Sequence, residues 1–142
     1  MSIFGAMNTS GTGMSTMRSW LDVLANNIAN VNTVRPTSQN AFQASYVEVS
    51  EIKGDSSAAP GDAAGHGVEI TTLRQGSAEG RLTYQPDNPL ADKKGYVRLP
   101  DVDLGEQMGN LIMAQRGFQA NAAVIDRART VYEAAINIGK NH

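Results

Sequence analysis

The side chains that could carry out chemistry are few and poorly placed for it. The sequence holds two histidines and no cysteine. His66 lies in a tract of small residues and His142 is the last residue, so neither belongs to a predicted helix or strand. A general base or a metal ligand needs neighbours that fix its position. We therefore expect no catalytic residue, no metal site and no cofactor.

Acidic residues and glycine-rich loops give no stronger signal. The run D-N-P-L-A-D-K-K-G, residues 87–95, resembles a calcium loop in outline, but proline occupies the third ligand position and no glutamate stands at the twelfth. No phosphate-binding glycine loop follows a predicted strand. Glu106 and Asp126 are expected on a solvated helix face. An enzyme acting on cell-wall glycan would therefore lack a placed acid and base pair.

The asparagines Asn26, Asn27, Asn30 and Asn32 are the one unusual polar feature. They suit a fraying helix end, where asparagine satisfies loose carbonyl groups and tolerates left-handed geometry. They equally suit amide contacts that fix the register between packed helices, as a buried asparagine does in coiled coils. Their spacing leaves both interpretations open.

These asparagines end a long pattern that we call the apolar seam. From residue 3 to residue 31 its positions alternate spacings of four and three, a heptad pattern that predicts a helix packed on another helix. The helix should stop near Asn32, because a proline such as Pro36 disfavours helical geometry in the residue before it. The seam consists of Ile3, Met7, Met14, Met17, Leu21, Leu24, Ile28 and Val31, with Ser10 its only polar member.

A second helix is predicted from Asp103, which has capping-box spacing to Glu106, to about Ile138, with Gly139 as its terminating residue. Its seam includes Leu104, Met108, Leu111, Phe118, Ile125, Tyr132 and Ile136. A second apolar strip lies beside it at Val124, Ala128, Val131, Ala135 and Ile138. A helix apolar across so wide a face is expected to pack on more than one neighbour.

Between the helices, apolar and polar residues alternate over short runs. This pattern predicts short strands within residues 41–52, 68–73, 81–84 and 96–99. The small-residue tract 54–67 reads as a flexible loop. We predict a mainly α fold in which long N- and C-terminal helices pair as an antiparallel coiled coil beside a small β-rich middle segment. The expected parts are a core helix in 1–34, an outer segment in 35–100 and a second core helix in 101–142.

Composition excludes several partners for this chain of 142 residues. A formal net charge of −2 gives no electrostatic reason to expect nucleic acid. No run of about eighteen apolar residues could span a bilayer, and the first residues lack the basic start and apolar core of a signal peptide. We expect no membrane insertion, and a route other than the secretory one if the protein leaves the cytoplasm.

Three runs resemble motifs of the flagellar rod and hook axial protein family. L-A-N-N-I-A-N-V-N-T, residues 24–33, resembles the N-terminal motif of that family. Y-Q-P-D-N-P-L-A-D-K-K-G-Y-V-R-L-P-D-V-D, residues 84–103, resembles the signature of a proximal-rod member. A-Q-R-G-F-Q-A-N, residues 114–121, resembles the family's C-terminal motif, with Phe118 where tyrosine is usual.

The resemblance implies a structural subunit without enzymatic activity. Such a subunit is exported unfolded by the flagellar type III apparatus and folds as it joins a helical, hetero-oligomeric rod that crosses the periplasm and transmits torque. Its expected partners are other proximal-rod subunits, the distal rod, the rod base protein and the export apparatus. Within the family, we favour Asn26, Asn27 and Asn30 as register-setting contacts.

The residues that we expect at subunit contacts lie on both helices. The segment that connects the outer segment to the second helix is expected to be rich in turns. The assembly residues are Met14, Met17, Leu21, Leu24, Asn26, Asn27, Ile28, Asn30, Val31, Leu111, Phe118, Asn121, Ile125 and Tyr132. The connector residues are Tyr84, Pro86, Pro89, Gly95, Tyr96 and Pro100. The alternative is a soluble adaptor or export chaperone whose two helices form a closed dimer.

Overall fold

In chain order, one long helix precedes four short strands and a second long helix follows them. The computed structural model describes residues 3–53 and 66–140, so most of the predicted loop 54–67 lies outside the described residues. In chain order the elements are α1 (Ile3–Ala29), β1 (Ser45–Glu51), β2 (Val68–Gln75), β3 (Arg81–Tyr84), β4 (Tyr96–Leu99) and α2 (Leu104–Lys140). The prediction of terminal helices around a small β-rich middle is confirmed.

The helix ends follow the capping signals in part. α1 ends at Ala29, slightly before the predicted stop. At the start of α2, Oδ1 of Asp103 accepts a hydrogen bond from the Glu106 N–H at 2.9 Å, as its capping spacing predicts. The prediction that Gly139 ends α2 was wrong, because the helix continues to Lys140. Glycine ends a helix by adopting positive φ, and among the described glycines that is seen only at Gly67, Gly80 and Gly95.

The strands form two separate two-stranded sheets, β1 with β2 and β3 with β4. β3 and β4 run antiparallel, with Arg81 opposite Leu99 and Tyr84 opposite Tyr96, over the predicted ranges. The first strand, beginning at Ser45, lies within the predicted range 41–52, and the second extends to Gln75, beyond its predicted range 68–73. Residues Ala41 and Ala44 before β1 are buried and are tied to the chain beyond β2, Ala41 N–H donating to the Ala78 carbonyl at 2.8 Å.

Contacts divide the chain into two compact units. Unit 1 comprises the described residues of 1–19, 49–71 and 113–142, and unit 2 comprises 20–48 and 72–112. The core of unit 2 is apolar, except for two amides, and contains Leu24, Asn27, Ala41, Ala44, Val97, Pro100, Val102 and Gln107. Unit 1 buries smaller side chains, among them Ser10, Thr16 and Ala114.

The most buried face of α1 does not coincide with the apolar seam. Leu24 is buried, but so are Ser10, Thr16 and Asn27, which are polar. The other seam residues, including Met14, Met17 and Ile28, are only half-buried. The seam therefore lies along the side of the buried face, and the one polar residue that interrupts it, Ser10, is inside.

The predicted seam of α2 is likewise displaced. Leu104 and Met108 are 43% and 54% exposed, whereas the buried positions in this part of the helix are Gln107 and Ala114. In unit 1 the two helices approach each other through glycine. A methyl group added to Gly13 would lie 2.9 Å from Asn121 Oδ1, and one added to Gly117 would lie 2.9 Å from Met17 Sδ.

Candidate assembly interface

Asn27 joins three elements within unit 2. Its side-chain amide donates to the Ser45 carbonyl at 2.8 Å, and its Oδ1 accepts the Ser45 N–H at 2.9 Å. This is the pair of bonds that a neighbouring residue in an antiparallel sheet would make. The second amide hydrogen goes to Gln107 Oε1 in α2 at 2.9 Å. One side chain in α1 thus fixes the first residue of β1 and a residue of α2.

Burial makes this junction sensitive to change. Asn27 is 0% exposed and Gln107 is 1% exposed. Every polar atom of the Asn27 side chain has a partner, and the Gln107 oxygen accepts from it. Among the described residues, Gln107 Nε2 is buried without a hydrogen-bond partner. Any further loss of partners here would leave buried polar groups unsatisfied, at about 1–3 kcal/mol for each group.

Asn26 and Asn30 make bonds of a different kind. Asn30 donates through Nδ2 to the Asn26 carbonyl at 2.9 Å and to Asn26 Oδ1 at 3.0 Å. Its own Oδ1 accepts from the Thr33 hydroxyl at 3.1 Å. These bonds are local and satisfy groups at the end of α1. Sequence reasoning treated the asparagines together, whereas the structure gives cross-element bonds to Asn27 and local ones to Asn26 and Asn30.

In unit 1, the start of α1 meets the end of α2 through a ring pair and two close approaches. The Phe4 and Tyr132 rings meet edge to face with centroids 5.7 Å apart. Gly13 lies against Asn121, whose amide donates to the Gly117 carbonyl at 2.9 Å. Met17 lies against Gly117. Contacting residues that lie later in α1 therefore have partners that lie earlier in α2.

The predicted assembly residues differ in exposure. Leu24 and Asn27 are buried within the chain, whereas Asn26 and Tyr132 are exposed. The half-buried members are Met14, Met17, Leu21, Ile28, Asn30, Val31, Leu111, Phe118, Asn121 and Ile125. Sequence reasoning missed Gln107, Ser45, Gly13 and Gly117, because a glutamine, a serine and two glycines carry no heptad signal.

The connector is a turn built around Asp92. Its Oδ1 accepts the N–H groups of Tyr96 at 3.0 Å and Lys94 at 2.9 Å, and its Oδ2 accepts from the Thr37 hydroxyl at 3.3 Å. The bond from the Tyr96 N–H is the main reason that the pKa of Asp92 is lowered. Gly95 has φ +82°, and a Cβ there would lie 2.8 Å from the Tyr84 ring.

The remaining connector residues flank this turn. The Tyr84 and Tyr96 rings meet edge to face with centroids 5.4 Å apart. Pro100 is fully buried, whereas Pro86 and Pro89 are exposed. Arg98, which sequence reasoning did not single out, ties the hairpin to the segment after α1. Its guanidinium donates to the carbonyls of Thr37, at 3.0 Å, and Glu79, and its backbone pairs with Arg35.

No arrangement for catalysis is found in the described part of the chain. No group of three His, Asp or Glu side chains there could hold a metal ion. A cavity of about 340 Å³ in unit 1 is lined by hydroxyl and aliphatic side chains with one carboxylate, that of Glu69. It offers no second titratable group to pair with that carboxylate. Among the described residues, no helix is long and apolar enough to cross a membrane.

Two protein-family models match the ends of the chain. Residues 7–37 match the model described as flagella basal body rod protein. Residues 93–138 match the model described as flagellar basal body rod FlgEFG protein C-terminal. The first match includes the asparagine cluster, and the second covers most of α2.

Curated relatives match over nearly the whole length. The flagellar basal-body rod protein FlgC of Yersinia enterocolitica is 34% identical over 140 residues, covering 99% of this chain and 100% of the relative. FlgC of Escherichia coli O157:H7 is 32% identical with the same coverage. FlgC of Borreliella burgdorferi is 31% identical, covering 97% of this chain and 98% of the relative.

Proposed function

The chain belongs to the FlgC family of flagellar basal-body rod proteins, and from this premise we propose how it is exported, folds and assembles. Its function is that of a structural rod subunit in the flagellar basal body, in a family without enzymatic activity. Our proposal is that this subunit joins the proximal rod, with other proximal-rod proteins, the distal rod and the rod base protein as its neighbours. There it takes part in transmitting torque.

In this proposal α1 and α2 pair as an antiparallel coiled coil. The contacts in unit 1 support it, since Phe4 meets Tyr132 while Met17 meets Gly117. In unit 2 the bond from Asn27 to Gln107 supports it separately. The close approach at glycine is compatible with two helices in contact along a narrow line, flanked by larger side chains.

The single observation that carries the proposal is the half-buried apolar seam. Its large members Met14, Met17, Leu21, Ile28 and Val31 are neither buried within the chain nor fully exposed. Helices of neighbouring subunits would bury the remaining area, at about 25 cal/mol per Å² of apolar surface. Assembly would then supply stability that the single chain lacks.

Export in an unfolded state follows from the same argument. Glycines at positions 5, 11 and 13 weaken α1 by about 1 kcal/mol each relative to alanine. Residues 131–140 of α2 are all exposed. We propose that the helices are marginal in the free chain, which suits passage through the type III export apparatus, and that folding is completed when the subunit joins the rod.

We propose that Asn27 sets the register of the two helices, as a buried polar residue can do in a coiled coil. Sliding α1 by one turn would separate its amide from Gln107 and from Ser45 together, leaving buried polar groups unpaired. Asn26 and Asn30 would support this role by holding the end of α1 in place.

The experiment that tests the proposal replaces Ile28 by aspartate in cells that make the flagellum. We expect Ile28→Asp to abolish motility and to remove the chain from isolated basal bodies while it is still synthesised. A charge on a half-buried seam position cannot be desolvated against a neighbouring helix. The matched control is Ala25→Asp, on the exposed side of the same helix. If the Ile28→Asp strain swims normally, the packing argument fails.

A further inference from the structure

In unit 1, the start of β2 is bonded both to the chain after β1 and to α1. The Gly67 carbonyl, immediately before β2, accepts the Ile52 N–H at 2.9 Å. The next N–H, that of Val68, donates to the Thr12 hydroxyl oxygen of α1 at 3.2 Å. Successive residues therefore bond first to the neighbouring chain segment and then to the helix. We call the meeting of Thr12 with Gly67 and Val68 the Thr12 contact.

The Thr12 hydroxyl can accept the Val68 N–H because the helix fixes its orientation. It donates its own hydrogen to the Thr9 carbonyl, three residues earlier in α1, at 2.8 Å. This local bond requires the helical turn that brings residues 9 and 12 together. With its hydrogen used in this way, the oxygen is left as an acceptor. The two bonds form a chain in which each polarises the other.

Glycine at position 67 makes the close approach to Thr12 possible. Gly67 has φ +112°, a backbone conformation that residues with a Cβ rarely adopt. A Cβ built at this position would overlap the Thr12 hydroxyl oxygen. Gly67 is also buried. Both the conformation and the available space therefore require glycine where β2 meets α1.

Apolar packing around the Thr12 contact is sparse. The strand residues of unit 1 lie within 49–52 and 67–71, which we call the sheet end. Val68 and Ile70 are only half-buried, and Glu69 between them is exposed. Hydroxyl side chains of α1 and aliphatic ones of the sheet end line the cavity of about 340 Å³, and side chains beside open space lose packing contacts. Since a two-stranded sheet is marginal by itself, the sheet end depends on its polar contact with α1.

We propose that the Thr12 contact makes order in the sheet end depend on helix in α1, so that the sheet end forms when the subunit joins the rod. This inference rests on the proposed function, in which α1 is marginal in the free chain and is completed on assembly. Without the helical turn the Thr12 hydroxyl is not held in place, and the Val68 N–H loses its acceptor. The helix therefore forms first and the sheet end follows.

Thiol accessibility measures order in the sheet end, because the chain has no cysteine of its own. Ile70→Cys places one thiol on the half-buried side of β2, in the lining of the cavity. Its reaction with a maleimide is followed by a gel shift, in the purified chain and in isolated basal bodies. We expect the thiol to react about tenfold more slowly in basal bodies, because it is reached there only through local opening.

The Thr12 hydroxyl is then removed in the Ile70→Cys chain. Thr12→Val keeps the branched shape and a similar helix propensity but cannot accept the Val68 N–H. In basal bodies we expect the thiol to react about fivefold faster, the factor that corresponds to about 1 kcal/mol for one lost hydrogen bond. Thr12→Ser keeps the acceptor, so the rate should stay within about twofold of that with threonine.

The matched control is Thr130→Val in α2. Thr130 is exposed, and its hydroxyl likewise donates to a carbonyl of its own helix, that of Asp126, at 2.9 Å. This change removes a hydroxyl of the same local kind, and the rate at Ile70→Cys should not change. Gly67→Ala is a second test of the contact, because its Cβ would overlap the Thr12 oxygen, and it should raise the rate at least as much as Thr12→Val.

The outcomes separate this inference from the proposed function. Each variant carries a tag and is made together with the unmodified chain, so that basal bodies assemble in every strain. Equal rates with valine and with threonine at position 12 would overturn the inference and leave the rod function intact. A purified chain with little helix by circular dichroism, but with the Ile70→Cys thiol as slow as in basal bodies, would overturn it too. Absence of the unmodified chain from basal bodies would instead contradict the rod function itself.

Discussion

At the scale of single residues, Asn27 is the polar side chain that joins α1, β1 and α2. Its amide takes the place of a β-strand neighbour for Ser45 and reaches Gln107 in the second helix. An apolar residue at this position would pack but would take both hydrogen bonds away from the half-buried Ser45 backbone. This explains why a polar side chain is tolerated at a position that is 0% exposed.

Asn27→Ala should therefore reduce assembly sharply. It removes three hydrogen bonds to the half-buried Ser45 backbone and to the buried Gln107 side chain, which we expect to cost about 3 kcal/mol, or about a hundredfold in the assembly equilibrium. The measurement is the amount of chain in isolated basal bodies at equal expression. Asn26→Ala is the control, because Asn26 is exposed and bonds only within its own helix end, and it should cost less than about 0.5 kcal/mol.

Incorporation of Asn27→Ala at the unmodified level and in the unmodified register would show that the amide contacts do not set the register. The cluster would then act only as a helix end, the first of the two interpretations that its spacing leaves open. Equal losses for Asn26→Ala and Asn27→Ala would also contradict the distinction drawn between cross-element and local bonds.

At the scale of elements, glycine lowers the intrinsic stability of α1 and also allows α1 and α2 to pack closely. Gly11 and Gly13 are neighbours in α1 with different surroundings. A Cβ on Gly11 would meet nothing within 4 Å, whereas one on Gly13 would meet the Asn121 amide at 2.9 Å. Glycine at position 13 therefore has a packing reason in this structure. No packing reason is found for Gly11 within the described chain.

The two glycines allow helix propensity and packing to be measured separately. Gly11→Ala and Gly13→Ala should each favour helix in the isolated chain by about 1 kcal/mol, raising the helical signal in circular dichroism to a similar extent. Only Gly13→Ala should lower incorporation into basal bodies, because its methyl group must displace Asn121. Equal incorporation of the two variants would contradict the close approach as a requirement for assembly.

At the scale of the whole molecule, more large apolar side chains are exposed than buried among the described residues. Leu24, Val97 and Val102 are buried among the described residues, while the exposed set includes Phe4, Leu73, Met113, Val131 and Ile138. This distribution is typical of a subunit that completes its apolar contacts with other chains. It matches the full-length similarity to flagellar rod proteins.

The purified chain is accordingly expected to be monomeric with little stable helix. Circular dichroism should show a weak helical signal that fades gradually on heating, because helices that lack their packing partners do not melt cooperatively. Sedimentation at micromolar concentration should show a single small species. A sharply melting helical monomer would contradict folding on assembly. A discrete dimer would instead favour the adaptor or chaperone that the sequence alone leaves as an alternative.

The sequence by itself determined the kinds of element, their order and the family. The heptad spacing identified both helices, alternation located β3 and β4 exactly, and capping spacing placed the start of α2 at Asp103. These signals are local: each depends on residues a few positions apart, whose side chains point to the same face.

Only the tertiary structure decided which face of each helix is buried. Within unit 1, Gly13 and Gly117 let the helices approach closely, and Met17 is the large seam residue that lies against a glycine. Gln107 is buried because Asn27, far away in sequence, offers it a hydrogen bond. Such contacts join distant residues by shape and by amide pairing, and neither property produces a periodic pattern that could be read from the chain.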